Sequence, residues 1–400
     1  MKYLILVGSG LTDQPAAERD NKTPLQLSDT PNLDRAVEQG EVGSFRPIPD
    51  QFHPGSDVSF LSLLGFAPEK YYGGTASFVA NELGIMLEEG EVPLCCDFIH
   101  LQSSHNDMVM KDFTASHLSS EDSHALLDAL QEQIVDVPVR FHRGEGHHNI
   151  MVIKSPPFLE KLLPPHEIIG EGIRQHMPAG EEFKELVYIT NQAQIILHNH
   201  PYNRELQSNG KDPVNSIWLW GNGTAQALPG FYEQFGKQAS LVSASLLLKG
   251  MARSAGMKVV SVAGATGFAN TNYPGKVAAA LKELNSADVV YLHVGAAEEI
   301  SLRGNLDDKV LAIEDFDSEV VGPLLNNIAG RRDVKMLIMG SHMSSVMQMK
   351  YSRDPVPFVI TPSNKRTVSL QHFNEQILES DAARFQNGPA LIEALLRDQL

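Results

Sequence analysis

Short apolar runs that alternate with helical patterns constrain the fold of this chain most strongly. The runs occupy residues 3–7, 258–262, 289–294 and 336–339, and helical patterns occupy residues 239–255, 275–284 and 309–328. A short unbroken apolar run indicates a strand buried on both faces, and strands that alternate with helices predict a parallel sheet covered by helices. Because the chemistry of such sheets lies beyond the carboxyl ends of the strands, we expect functional residues in the loops after Val7, Val294 and Met339.

A middle segment has a different pattern. Residues 120–133 predict one helix that begins after Ser119, residues 137–142 and 149–153 predict short strands, and a proline-rich piece follows. We therefore predict a doubly wound, mostly parallel α/β core built from residues 1–103 and 179–400. A smaller α+β cap domain, residues 104–178, is inserted into it.

Composition excludes several classes of function. The formal net charge of −17 argues against nucleic acid as a partner, because binding to a phosphate backbone depends on clustered Lys and Arg. A small anionic phosphorylated ligand remains compatible, since a few local cations suffice. No apolar run of about 20 residues is present, so no membrane span is predicted. The two cysteines, Cys95 and Cys96, are adjacent, which suits a reducing compartment, and we expect a cytoplasmic protein. Whether the chain has a protein partner stays open.

Ordered sequence blocks carry a family resemblance. Thr30-Pro31-Asn32-Leu33-Asp34, His53-Pro54-Gly55-Ser56-Asp57, Trp218-Leu219-Trp220-Gly221-Asn222-Gly223, Thr271-Asn272-Tyr273-Pro274-Gly275-Lys276 and Asp354-Pro355-Val356-Pro357 follow one another in the chain. In this order they resemble the archaeal-type cofactor-independent (2,3-bisphosphoglycerate-independent) phosphoglycerate mutases. That family belongs to the alkaline phosphatase superfamily, so the resemblance implies an alkaline-phosphatase-like core and an isomerase of glycolysis.

The resemblance also implies a mechanism. In this family a serine takes the phosphoryl group from the substrate and returns it to the neighbouring hydroxyl, while two divalent cations (Mn²⁺, Zn²⁺ or Mg²⁺) stabilise the charge. The matching serine is Ser56. The resemblance further suggests Lys276 and Asn272 as residues that bind an anionic substrate.

The positions that match the family's metal ligands are largely changed. His342 is intact, and Glu298 replaces an aspartate. Serine, leucine or tyrosine stands at the remaining matching positions: Ser9, Leu302, Ser341 and Tyr351. Arginine motifs on the substrate side read Gly74-Thr75, Cys95-Cys96-Asp97 and His147-His148-Asn149 instead. His342 and Glu298 are therefore predicted to be remnants of a degraded two-metal site, with no metal at full occupancy.

Two functions remain open. The first is a catalytically impaired or inactive homologue, a pseudoenzyme that still binds an anion or a partner, and the ligand count favours it. The alternative is an active metal-dependent phosphotransferase that converts 3-phosphoglycerate to 2-phosphoglycerate through Ser56. Purely structural roles are also open: Ser56 as a helix N-cap, Glu298 as part of a solvated helix start and His342 as a hydrogen-bonded core residue. Lys276 has the alternative of a surface charge, and the cluster around His142 and His147 matches no standard metal-binding spacing.

Overall fold

The computed structural model describes residues 1–104, 107–154, 162–224, 227–363 and 370–400. The chain divides into two compact units, residues 1–72 with 227–400 and residues 73–226. The boundaries differ from those predicted, because residues 91–104 and 216–220 on either side of the predicted cap are strands of the second unit's own sheet. The predicted segment 104–178 lies inside that unit.

A mostly parallel sheet of eight strands forms the centre of the first unit and confirms the α/β prediction. Its strands are β1 Lys2–Gly8, β2 Glu41–Phe45, β8 Ala239–Val242, β9 Lys258–Val260, β10 Val289–Val294, β11 Val334–Gly340, β14 Val356–Thr361 and β15 Ala383–Phe385. The order is β15-β2-β14-β11-β1-β10-β8-β9, and only β14 runs antiparallel to its neighbours. A hairpin of β12 Met343–Ser345 and β13 Lys350–Ser352 follows β11.

Helices pack on this sheet because its central strands are apolar on both faces. All residues of β10, and all residues of β1 after Lys2, are buried. On one face, Leu4, Leu6, Val290 and Leu292 belong to one continuous core with the helices that cover them. The helices of the first unit are α1 Pro24–Leu27, α2 Pro31–Glu38, α3 Ser56–Leu63, α4 Pro68–Tyr71, α9 Phe231–Phe235, α10 Leu246–Ser254, α11 Tyr273–Glu283, α12 Ala296–Arg303, α13 Leu306–Asp315, α14 Gly322–Ile328, α15 Gln376–Glu379 and α16 Gly388–Leu396.

Two predicted helices require correction. Residues 239–255 are not one helix: they form β8 and then α10, which begins after the N-cap Ser245. Residues 309–328 are helical throughout, but a π-helical segment, Phe316–Val321, separates α13 from α14.

The second unit is an antiparallel sheet with different layers on its two faces. Its strands are β3 Glu91–Ser104, β4 Asp107–Asp112, β5 Val139–Glu145, β6 His148–Lys154 and β7 Ser216–Trp220. Its helices are α5 Thr75–Glu82, α6 Ser120–Gln133, α7 Lys184–Asn199 and α8 Pro201–Ser208. Side chains of the long strand β3 alternate between the faces, so Leu94 and Phe98 pack against α6 and α7 while Ile99 and Leu101 pack with Trp218. Part of the proline-rich piece, residues 155–161, lies outside the described residues.

Candidate active site at the carboxyl edge of the sheet

The loops after β1 and β10 meet closely at the carboxyl edge of the first unit's sheet. Gly10 lies in the left-handed backbone region, at φ +85°, and a Cβ there would come within 2.2 Å of the backbone nitrogen of Glu298. Only glycine therefore allows the β1 loop to lie against the first turn of α12. This close approach brings Ser9, in the loop after β1, near Glu298 in the first turn of α12.

Ser56, Glu298 and His342 come together into one cluster. The Ser56 hydroxyl donates a short hydrogen bond to Glu298 Oε1, and His342 Nε2 lies 3.8 Å from the same oxygen. Tyr351 also donates to the Glu298 carboxylate, and its ring stands edge-on to His342 with centroids 4.4 Å apart. Ser341 Oγ lies 3.0 Å from His342 Nδ1. The structure thus unites Ser56 with both predicted remnants.

The charges in this cluster are fixed by burial and by one another. Burial opposes ionisation of Glu298, but His342, the Ser56 hydroxyl, His293 and Tyr351 together hold the pKa of this carboxyl below its usual value. Burial lowers the pKa of His342, although Glu298 and Asp57 act in the opposite direction. At neutral pH the cluster therefore contains an ionised Glu298 and a neutral His342. Nε2 of His342 is buried and has no hydrogen-bond partner in the described part of the chain.

A second polar cluster centres on His293, which the sequence analysis did not single out. His293 Nε2 lies 3.0 Å from Ser9 Oγ, and Nδ1 lies 3.0 Å from Ser243 Oγ. Burial, with Lys276 nearby, lowers the pKa of His293 to about 3, so the ring is neutral. The signal that could have revealed it is a histidine inside the otherwise apolar run 289–294.

The predicted substrate-binding residues have internal roles. Lys276 is only 1% exposed, and its ammonium donates to the carbonyl oxygen of Thr266 at 3.1 Å. Burial lowers its pKa to about 8. Asn272 caps α11 by accepting from the backbone amide of Gly275, and its Nδ2 donates to the carbonyl of Ala263. Lys276 is thus not a surface charge, contrary to one of its two expected roles.

A fully buried ion pair connects two of the segments that carry the site, and the sequence did not predict it. Lys309 Nζ donates to Asp13 Oδ2 and to the carbonyl of Ser344, each at 2.7 Å, and both charged side chains have no exposed surface. Asp13 also accepts from the backbone amide of Val346. The pair joins the loop after β1 to the segment after β11, which contains His342. A lysine among the apolar positions of a helix was the available signal.

The structure also decides between the structural alternatives. Gly55, not Ser56, is the N-cap of α3, and Ser56 is the first helical residue. Glu298 is 9% exposed, so it is not part of a solvated helix start. Leu302, one helical turn after Glu298, is buried at 5% exposure and provides no donor atom.

The side chains around Ser56 that could bind metal are too few for a pair of divalent cations. In the described ranges, no group of three or more His, Cys, Asp or Glu side chains is arranged to hold a metal ion, and this includes the histidines around His147. Ser56 is next to the Glu298 carboxylate and the His342 imidazole, whose Nε2 has no hydrogen-bond partner among the described residues. Two further carboxylates are engaged elsewhere: Asp57, which also acts on His342, accepts from the hydroxyl of Tyr72, and Asp13 is paired with Lys309. Two divalent cations require several anionic or imidazole donors, so the described residues do not fit a two-metal site.

Fold and site together define an α/β protein with a helix-initiating serine, a carboxylate and an imidazole at the carboxyl edge of a mostly parallel sheet. A sequence model of the family described as 2,3-bisphosphoglycerate-independent phosphoglycerate mutase matches residues 37–203. A protein of Geobacter sulfurreducens named probable 2,3-bisphosphoglycerate-independent phosphoglycerate mutase is 36% identical and covers 99% of this chain and 100% of its own. The mutase of Methanothrix thermoacetophila is 37% identical with the same coverage.

Solved structures agree with these relatives. The PH0037 protein of Pyrococcus horikoshii has a TM-score of 0.76 at 26% identity and covers 100% of this chain and 98% of its own. The cofactor-independent phosphoglycerate mutase of Thermoplasma acidophilum has a TM-score of 0.58 at 27% identity, with both chains covered completely. The chain belongs to the 2,3-bisphosphoglycerate-independent phosphoglycerate mutase family, as the resemblance indicated. No helix in the described ranges has the length and apolarity needed to cross a membrane.

Proposed function

We propose that this member of the family lacks mutase turnover and has kept its fold to bind a small phosphorylated anion. The observation that carries the proposal is the environment of Ser56. Its hydroxyl donates to Glu298, and His342, whose Nε2 lies 3.8 Å from the same carboxylate oxygen, is neutral. Few side chains that could bind a metal ion surround Ser56, the serine that acts as the nucleophile in the family reaction.

The physical argument concerns charge. Phosphoryl transfer develops negative charge that two cations stabilise in this family, and each contributes several kcal/mol in such sites. Each factor of ten in rate corresponds to about 1.4 kcal/mol of barrier, so loss of both cations removes many powers of ten. Glu298 adds negative charge beside Ser56 instead. Its lowered pKa also makes it a weak base for the serine proton.

The alternative is an active metal-dependent phosphotransferase that acts through Ser56. One observation favours it: His342 Nε2 is buried, lacks a hydrogen-bond partner in the described ranges and faces Glu298 at 3.8 Å. These two residues would hold a single cation next to the serine. The names of the relatives also favour an active mutase that acts on phosphoglycerate.

An assay of 3-phosphoglycerate conversion with added Mn²⁺ tests the proposal. The wild-type chain and a Ser56→Ala variant are expected to show the same background rate. Ser56 is partly exposed and its hydroxyl makes one side-chain contact, so the variant is expected to fold. Clear wild-type turnover that disappears in Ser56→Ala would overturn the proposal and establish the alternative.

We also propose a cytoplasmic location, supported by the cysteines. Cys95 and Cys96 are adjacent, buried and form no disulfide. Cysteines that form no disulfide are usual in a reducing compartment.

A further inference from the structure

Within the second unit, Asp97, His148 and Trp220 form a polar cluster on one face of the sheet. Asp97 on β3 pairs with His148 on β6, and Trp220 on β7 lies two positions further along the same face, opposite Cys95. His148 Nδ1 lies 3.0 Å from Asp97 Oδ1, and Trp220 Nε1 donates to Asp97 Oδ2 at 2.7 Å. Asp97 is only 1% exposed, so both of its oxygens are used inside the protein.

This arrangement fixes the orientation of the His148 ring. A carboxylate only accepts hydrogen bonds, so Nδ1 of His148 carries a proton and donates it to Asp97. The side chain of His148 is 48% exposed, so Nε2 is left to solvent or to a ligand. When Nε2 is also protonated, the imidazolium of His148 directs its Nε2–H group to solvent, away from Asp97.

His147 lies beside His148 and adds a second nitrogen. The two ring centroids are 3.8 Å apart. His147 is 4% exposed, and its Nε2 is buried with no hydrogen-bond partner in the described part of the chain. A buried polar atom without a partner is costly, which points to a ligand or ordered solvent at this position.

The two histidines differ in charge. Burial acts against the charged form of His148, but Asp97 and Glu145 raise its pKa overall. The pKa of His147 lies well below its usual value because of burial and of the neighbouring His148 and His117. His147 is thus neutral at pH 7, whereas His148 takes up its second proton at a higher pH than an ordinary histidine.

We propose that His148, held by Asp97, and the adjacent His147 together bind the oxygens of a small phosphorylated anion, and that binding requires the doubly protonated form of His148. The inference rests on the proposed function, whose phosphorylated ligand it places on this unit. Guanidinium groups would bind such an anion at any physiological pH, since arginine stays protonated. An imidazole pair makes the binding depend on pH instead.

The test follows the imidazole nitrogens by NMR while pH is varied, with inorganic phosphate added or with chloride at equal ionic strength. If the anion binds only the protonated ring, phosphate raises the pKa of His148, because linkage is reciprocal. Sulfate serves as a second probe whose charge does not change over this range, and it should have the same effect. His372, whose Nδ1 lies 2.6 Å from Asp34 but which is 64% exposed, is the matched control and should not shift.

Two variants complete the experiment. His148→Gln alters a half-exposed side chain and should abolish phosphate binding. Asp97→Asn should lower the pKa of His148 and move binding to lower pH. An unchanged His148 pKa in phosphate and sulfate, equal shifts at His372, or undiminished binding by His148→Gln would each overturn the inference. None of these results depends on turnover, so the mutase assay with Ser56→Ala judges the proposed function separately.

Discussion

The buried Asp13–Lys309 pair offers the most quantitative prediction. Lys309→Met keeps the length of the side chain but removes the donor to Asp13 and to the carbonyl of Ser344. In the described part of the chain, Asp13 then stays buried and keeps the hydrogen bonds from the backbone amides of Gln14 and Val346. Breaking one side of a buried ion pair costs about 3–5 kcal/mol, because it leaves an uncompensated charge. We expect a loss of unfolding free energy of that size at pH 7.

The assay must report on the correct unit. Trp218 and Trp220 both belong to residues 73–226, so tryptophan fluorescence follows the second unit. Hydrogen exchange of the amides in β1 and β11 reports directly on the sheet beside the ion pair. Their protection should fall by the same 3–5 kcal/mol in Lys309→Met, since these central strands open with the global unfolding of their unit.

Two controls decide what the result means. Arg397→Met removes an exposed ion pair with Glu393 and should change protection by no more than the error of measurement. Asp13→Asn combined with Lys309→Met removes both charges and should be less damaging than Lys309→Met alone. A Lys309→Met variant within about 1 kcal/mol of wild type would refute the reasoning, because the buried carboxylate would then need no counter-charge.

Two further predictions concern other buried carboxyls. Burial raises the pKa of Glu375 to about 7, so the folded protein keeps this proton to higher pH than the unfolded chain. Stability should therefore decline as pH rises from 4.5 to 7 and then level off, by at most about 3 kcal/mol, and chemical denaturation should show a shallower decline in Glu375→Gln. Asp317 accepts from the backbone amides of Asn32 and Leu33 at the start of α2. Asp317→Ala should cost about 2–3 kcal/mol in the same assay, and a loss below about 0.5 kcal/mol would show that water replaces the cap.

Strands with unbroken apolar runs were predictable from the sequence, and the others were not. Val289–Val294 was predicted with its observed bounds, because it is buried on both faces. The strand at Glu41–Phe45 contains glycine and serine, and the strand at Val356–Thr361 contains a proline, so neither shows an apolar run. The run at residues 239–242 continues into apolar helix residues, and a strand pairing with β10 overrides the helical pattern.

The sequence identified the main residues of the site, but not the side chains and carbonyls that surround them. Ser56, Glu298 and His342 were expected to meet, and they do. Local sequence could not show that Lys309 is paired with Asp13, since these residues are distant in the chain and meet only through packing. The internal roles of Lys276 and Asn272 were missed for the same reason: a sequence pattern identifies an amide or a cation, but not the carbonyl that it contacts.

Metal content tests the central claim most directly. The protein, purified after exposure to Mn²⁺ and Zn²⁺ and then dialysed, is analysed for bound metal beside a His342→Ala variant. The account predicts far less than one metal ion per chain in both proteins, because Glu298 and His342 are too few donors for two cations, and the nearby Asp57 and Asp13 are engaged by Tyr72 and Lys309. Close to two ions per wild-type chain that are lost in His342→Ala would contradict it.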